Sequence, residues 1–535
     1  MKKILLVLVL WWHVSSAQNF PITWGPLERS NGYLIDILPK NDLDFNTLRW
    51  TGGSSFGSYR LVSYENLSTF QQEKLKLVTE TGLCNFVDAL SFGQGTVVFL
   101  SDRMKSSMML YAQYYDEALG MNASKFLAEY ENPKFDAKPN FTIISSQNRK
   151  FVGIIWELEG KGINNDFYGY KIINDSLRVV NEGEYNVPFD GNLSTINDHH
   201  ISNTGDYFIC LTEHNKANDR MFTRSFENFK ALHVYKANGK ELNEFTIDLQ
   251  GKRVDDLVMS SNEQGAFALT GIYGTGKKNG MEGIFSIQID PNNNALNAQS
   301  FIPFGNELVK ESWNTRQQDR FSSNGTWNDP NNFNNPGTFN SRDNIGPQLY
   351  DYRMRDFFTL ADGSMVGSME QYFVFQRTTY DGRTSFTTTV NYYYYDDIIA
   401  FRISKDGQML WQKRIPKSQV STNDYGEFSS YCSFQSEKSL NFIFNDHLKN
   451  YDESGNYDRS GENYYSFNLS KKNNAVSLVK IDLETGNITR EMMETRKDLN
   501  AIVVPKQCRV DHLNKNILIY SIAGSQERFG ILNYK

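Results

Sequence analysis

Residues 432–444, CSFQSEKSLNFIF, and residues 477–493, SLVKIDLETGNITREMM, decide the fold. Each phrase is an apolar strand, a short polar turn and a second strand. The turns are rich in Ser, Asn and Gly, which supply the positive φ or the side-chain-to-backbone bonds that tight turns need. The same pair of phrases recurs along the chain. Further first hairpins lie at 90–100, 143–156, 199–211, 257–271, 357–369 and 508–520. Further second hairpins lie at 108–130, 168–187, 231–249, 283–302 and 398–415, with a shortened copy, ERFGILNYK, at 527–535. KALHVYK and GIFSIQID alternate with period two, and no window of a dozen residues holds a period of 3.6.

Two hairpins make four antiparallel strands. Four strands repeated at a regular interval are the mark of a β-propeller, in which each repeat is one blade. The expected fold is therefore all-β, a single propeller over residues 18–535. Seven blades account for the hairpins. Eight follow if residues 24–80, which include SYRLVSYENLSTFQQEKLKLV at 58–78, form a blade of their own. A ring must pair its ends, so an N-terminal strand is expected to complete the C-terminal blade.

The chain opens MKKILLVLVLWWHVSSAQ. Two lysines, a short apolar run, then Ser15 and Ala17 fit a secretory signal peptide over residues 1–17. The apolar run is too short to span a bilayer. Export to the periplasm or beyond the cell is the expected destination. The formal charge of −7 argues against nucleic acid, which requires a basic stripe. Four cysteines, Cys84, Cys210, Cys432 and Cys508, are too few for a disulfide scaffold in so long a chain. Cys432 and Cys508 begin equivalent strands of consecutive repeats, so they are either a bonded pair or two buried thiols.

Residues 95–111, GTVVFLSDRMKSSMMLY, resemble the repeat of TolB-type propellers through Phe99, Ser101, Asp102, Arg103, Leu110 and Tyr111. Residues 405–415, KDGQMLWQKRI, are similar to the repeats of quinoprotein-like propellers, with Trp411 at the tryptophan position. The resemblance implies a propeller of the bacterial envelope. It transfers no catalytic residue, because the SDR letters and the tryptophan are not repeated around the ring.

The long segments fall in one class of loop. Residues 213–230, 305–350, 372–395 and 445–474 join hairpins or repeats, and such connections emerge on one face of a propeller. Residues 305–350 set Trp313 and Trp327 among asparagines. Residues 372–395, YFVFQRTTYDGRTSFTTTVNYYYY, read as a long hairpin about Asp381-Gly382 and carry Tyr372, Tyr380, Tyr392 and Tyr394. Aromatic rings among amides suit recognition, although an Asn-rich stretch such as 305–350 is also the composition of a solvated loop. Charges at the starts of innermost strands, among them His200, Asp256, Arg355 and Asp356, are expected to ring the mouth of the central channel.

Sequence motifs for chemistry are weak. Gly53-Ser54-Ser55-Phe56-Gly57 matches a nucleophile elbow in letters, but a strand follows it where a helix is required. Ser404, Asp406, Gly407 and Trp411 approach the Asp-box of sialidases with the glycine one place early. His199 and His200 point to opposite faces of a strand, which does not suit one metal. Asp452, Ser454, Asn456 and Asp458 alternate like a calcium loop but have Tyr457 where glycine belongs. The sequence therefore implies no catalytic constellation, no metal and no cofactor. It points to a scaffold or adaptor that binds a protein or glycan of the cell envelope. The competing expectation is a channel-centred enzyme acting on glycans, or a quinoprotein-like oxidoreductase.

Overall fold

The computed structural model describes residues 20–535 apart from 53–56, 93–94, 123, 133–139, 159–164, 217–227, 275–279, 291–294, 312–348, 382–385, 459–463, 468 and 470–471. Residues 1–17, expected to be a signal peptide, then Gly53, Ser54, Ser55 and Phe56, and Trp313 and Trp327 lie outside the described residues.

The described strands form eight antiparallel sheets of four or more strands, in chain order. They cover 33–74, 85–131, 141–190, 194–245, 253–303, 352–422, 432–495, and 502–533 with an N-terminal strand added. We refer to them as the first to the eighth sheet. Their innermost strands adjoin one another around the ring, and Arg509–Asp511 of the eighth meets Tyr33–Pro39 of the first. Eight apolar clusters lie between successive sheets. One of them joins Leu34, Phe45 and Tyr64 of the first sheet to Leu518, Phe529 and Ile531 of the eighth. Both faces of every sheet are thus buried, which explains why the inner strands are nearly continuous apolar runs rather than strict alternations.

Ring closure follows the expected route. Ile22–Trp24 pairs with the C-terminal strand Gln526–Asn533, with Thr23 opposite Ile531. Glu28 and Arg29 pair lower on the same strand. The number of sheets differs from the favoured seven, because residues 33–74 form a sheet of their own. Its first hairpin, Tyr33–Pro39 and Phe45–Gly52, escaped recognition for a physical reason. The second strand interrupts its apolar run with Asn46, Thr47 and Arg49, all fully buried. Arg49 donates to Glu527 Oε2 at 2.7 Å and to Tyr64 OH at 3.2 Å. Tyr520 OH adds a 2.9 Å bond to the same carboxylate. This buried pair ties the first sheet to the eighth at the seam of the ring.

Short turns on one face are linked by amides. Asn148 N donates to Asn203 Oδ1 at 2.9 Å, Asn203 N to Ser261 Oγ at 3.2 Å, and Asn262 Nδ2 to Leu360 O at 2.9 Å. Equivalent turns in four successive sheets are thereby joined. On the same face Arg149 reaches Asp511 at 3.4 Å, from the third sheet to the eighth.

Candidate functional site

The described part of the insertion at 372–395 projects from the opposite face, and most of 213–230 and 305–350 lies outside the described residues. In the sixth sheet, strands Met365–Asp381 and Phe386–Ile403 have 17 and 18 residues, against 8 and 7 in their neighbours Tyr352–Thr359 and Met409–Ile415. The surplus projects as a two-stranded ribbon, paired from Tyr372 with Tyr395 to Asp381 with Phe386. A register shift between Glu370 and Tyr372 marks where it leaves the sheet. Cross-strand rings stiffen it. Phe373 and Tyr394 stack at 4.5 Å, Tyr372 and Tyr395 meet at 4.7 Å, and Phe375 lies 6.1 Å from Tyr392. Val420–Thr422 supports one flank by pairing with Tyr392, Tyr393 and Tyr394. Val374, Phe375 and Tyr380 are 45%, 38% and 65% exposed.

A buried ionic network anchors the foot of this ribbon. Glu370 is fully buried. Arg355 Nη2 and Lys417 Nζ each stand 2.9 Å from its carboxylate, and Ser430 Oγ donates to it at 2.7 Å. Lys417 Nζ also donates to Tyr395 O at 2.7 Å and to Gln419 Oε1 at 3.1 Å. Above this layer, Lys506 Nζ donates to Tyr395 OH at 2.7 Å and Tyr425 O at 3.0 Å, and lies 4.1 Å from the Tyr395 ring centre. Partial burial brings the Lys506 ammonium down to about 8. Arg355 lies 5.9 Å from the Tyr372 ring centre. Tyr425, whose carbonyl holds Lys506, is 79% exposed and 5.6 Å from Tyr393. The result is a basic and aromatic patch where the ribbon meets the channel mouth.

Four other innermost strands share one device. Asp36, Asp88, Asp198 and Asp256 each follow a bulge, at Ile35, Val87, Asn197 and Asp255. Each accepts the N–H of the next residue, at 2.8, 2.7, 2.8 and 3.0 Å. The second oxygen of Asp256 accepts Met354 N at 2.9 Å, so it links the fifth and sixth sheets. Asp356 lies beside Ser433 of the seventh sheet. Burial pushes the carboxyls of Asp88, Asp255 and Asp356 up to about 6. His199 and His200 diverge as a strand requires. His199 Nδ1 is 2.8 Å from Tyr207 OH and His200 Nε2 is 3.0 Å from Ser261 Oγ. Burial brings both down to about 4, so they are neutral at physiological pH.

The structure thus gathers Tyr372 and Arg355 at one patch, with Asp356 next to Arg355 on the strand Tyr352–Thr359. Tyr380, Tyr392 and Tyr394 lie out along the ribbon. His200 and Asp256 stand away from that patch, engaged in contacts between sheets. Glu370, Lys417, Gln419, Ser430 and Tyr425 carry no local sequence signal; only the fold brings them together. Tyr395 belongs to the legible tyrosine run, but its contact with Lys506 spans two distant sheets.

The other motifs resolve into local structure. Asp452 Oδ1 accepts the N–H groups of Ser454 and Asn456 at 2.9 Å each, a turn capped by its own side chain. Beneath that insertion, Asp446 accepts Tyr451 OH at 2.8 Å and Tyr464 OH at 2.9 Å and pairs with Arg490. The Arg490 guanidinium lies 4.3 Å from the Tyr457 ring centre. Trp411 Nε1 donates to Leu483 O at 2.7 Å between the sixth and seventh sheets. Cys432 and Cys508 are free thiols, and Cys508 Sγ donates to Val504 O at 3.6 Å. Among the described residues no group of three or more His, Cys, Asp or Glu is placed to hold a metal ion. No helix among them is long and apolar enough to cross a membrane.

No family model matches the chain, and no curated protein matches it. Solved structures resemble it over most of its length. The WD40 domain of SCAP from fission yeast is 9% identical, with 96% of this chain and 94% of that chain covered and a TM-score of 0.37. A polysaccharide lyase is also 9% identical, with 97% and 93% covered and a TM-score of 0.37. An α-L-arabinanase from Penicillium chrysogenum is 11% identical, with 75% and 97% covered and a TM-score of 0.26. The architecture rests on the order of the sheets and the cores between them, not on these likenesses.

Proposed function

We propose that this chain is an exported β-propeller of the bacterial cell envelope, akin to TolB-type and quinoprotein-like propellers, that serves as a scaffold or adaptor. It binds a macromolecular partner, protein or glycan, through its decorated face. The observation that carries this reading is the ribbon at 372–395. It is ordered by stacked aromatic pairs, yet Val374 and Tyr380 face solvent. Rigid aromatic surface offers contact area at small entropic cost. The patch of Lys506, Tyr425 and Arg355 at its foot extends the same surface with positive charge.

Deleting residues 376–391 and closing the strands with a short turn tests the reading. Partners are recovered by crosslinking pulldown from the native cell. Affinity for at least one of them is expected to fall tenfold or more, about 1.4 kcal/mol. The melting temperature should barely move, because the ribbon tip contributes little to the core and loop length costs little. Unchanged affinity for every recovered partner moves the site elsewhere.

One observation favours the competing enzyme reading, namely the channel carboxyls held near 6, where general acids and bases work. If the channel is catalytic, Asp356→Asn cuts turnover about a hundredfold or more in a folded protein. On the binder reading the parent turns over no glycan and no alcohol.

A further inference from the structure

The two edges of the ribbon are not equivalent. Tyr372 N donates to Asp351 O at 2.8 Å, and Tyr395 N donates to Gln419 O at 2.9 Å. The backbone groups of this cross-strand pair therefore point away from each other. Antiparallel pairs alternate between facing and averted. It follows that Val374, Gln376, Thr378 and Tyr380 turn their N–H and C=O groups outward, as Tyr393 and Asn391 do on the partner strand. The partner's edge is closed at its base. Val420–Thr422 pairs there, and Asn423 beyond it donates to Asn391 O at 3.0 Å and accepts Asn391 N at 2.9 Å. On the first edge, among the described residues, the outward groups of Val374, Gln376, Thr378 and Tyr380 meet no partner.

Exposed edges are normally blunted by proline, lysine, bulges or short strands. Val374–Tyr380 has no proline, no lysine and no register shift, and its one charge is Arg377. All seven side chains are exposed. We propose that this edge accepts an extended segment of another protein as an added antiparallel strand, with an acidic residue opposite Arg377. The inference rests on the recognition-surface reading and specifies its partner chemistry. Outward donors and acceptors at every second residue match only another extended backbone. Arg377 is exposed and has no ion pair among the described residues. It belongs to a pair whose bonds face inward, so the residue added opposite it lies close, at a Cα separation of about 4.5 Å. Opposite charges are favoured at such positions.

A second copy of the ribbon is a poorer occupant. Antiparallel self-pairing that uses all four outward residues sets Arg377 against Arg377 of the other copy. A shift of two residues relieves that repulsion only by losing one bonded pair.

The test uses the full chain and a blocked, fluorescently labelled peptide, TVTVEVTVT, read by anisotropy. Saturable binding is expected. It should weaken at least tenfold when the central glutamate is replaced by lysine, and at least tenfold in Gln376→Pro, which removes an outward N–H without touching the inward bonds. Arg377→Ala should bind the glutamate and lysine peptides equally, which keeps the test decisive if the proline disturbs the ribbon. Absent binding, or equal binding of both peptides to the parent, overturns strand addition. So does a dimer of the parent that Gln376→Pro abolishes, because the occupant is then a second copy. A native partner that needs residues 376–391 but tolerates Gln376→Pro overturns strand addition and leaves the recognition face standing.

Discussion

Individual residues in this protein divide into those that hold the ring and those that face outward from it. Lys417 and Glu370 are both fully buried and paired. Removing Glu370 leaves the buried Lys417 ammonium without its ion-pair partner, so Glu370→Ala should cost about 3–5 kcal/mol. Lys506→Ala, on the exposed patch, should cost under about 1 kcal/mol. Chemical unfolding of the two variants side by side checks the contrast. Asp356 supplies a pH prediction. Its carboxyl lies near 6 in the folded chain against 3.8 ordinarily, because burial disfavours its charge. The folded state therefore holds that proton more tightly. Its contribution to stability is complete below about pH 4 and is lost as the pH rises through 6. His199 and His200, brought down to about 4, act in the opposite direction over the same range. The parent's profile mixes the two effects, so substitution isolates one. Asp356→Asn should match the parent near pH 4 and gain melting temperature relative to it as the pH rises towards 7. A constant difference across that range removes the buried-carboxyl account.

At the scale of elements, the ribbon at 372–395 was legible as a hairpin because it alternates around Asp381-Gly382. Its aromatic content was equally legible. The outward turn of its backbone at Val374, Gln376, Thr378 and Tyr380 was not, because it depends on the tertiary bonds of Tyr372 and Tyr395. Hydrogen exchange checks that alternation directly. The amides of Phe375, Arg377 and Thr379, turned inward, should exchange more slowly than those of Val374, Gln376 and Thr378. Equal rates along the strand mean that the ribbon is frayed. The insertion at 445–474 is a contrasting case. Its alternating Asp452, Ser454 and Asn456 follow a calcium loop only in part, with Tyr457 in place of the glycine, and its described residues are organised by a turn and by Asp446 and Arg490.

For the whole molecule the central question is closure. Ile22–Trp24 and Glu28–Arg29 complete the eighth sheet. Deleting residues 18–29 opens a sheet edge along Gln526–Asn533 and uncovers the cluster around Phe20, Phe434 and Leu532. Cooperative unfolding should be lost or its midpoint sharply lowered, by calorimetry. A truncated chain that melts like the parent removes the seam from the account of stability.

The sequence by itself determined the all-β class, the four-strand repeat, the long hairpin at 372–395 and the need for an N-terminal closing strand. All of these follow from local period, turn chemistry and order along the chain. Tertiary structure decided what depends on contacts between distant segments. The hairpin at 33–52 was hidden because Arg49 interrupts its apolar run, and only Glu527 from the other end of the chain makes that burial tolerable. The patch of Arg355, Glu370, Lys417, Tyr395 and Lys506 likewise has no linear signature. Its members come from the sixth and eighth sheets, and a charge becomes a site only when the fold places its partner within about 3 Å.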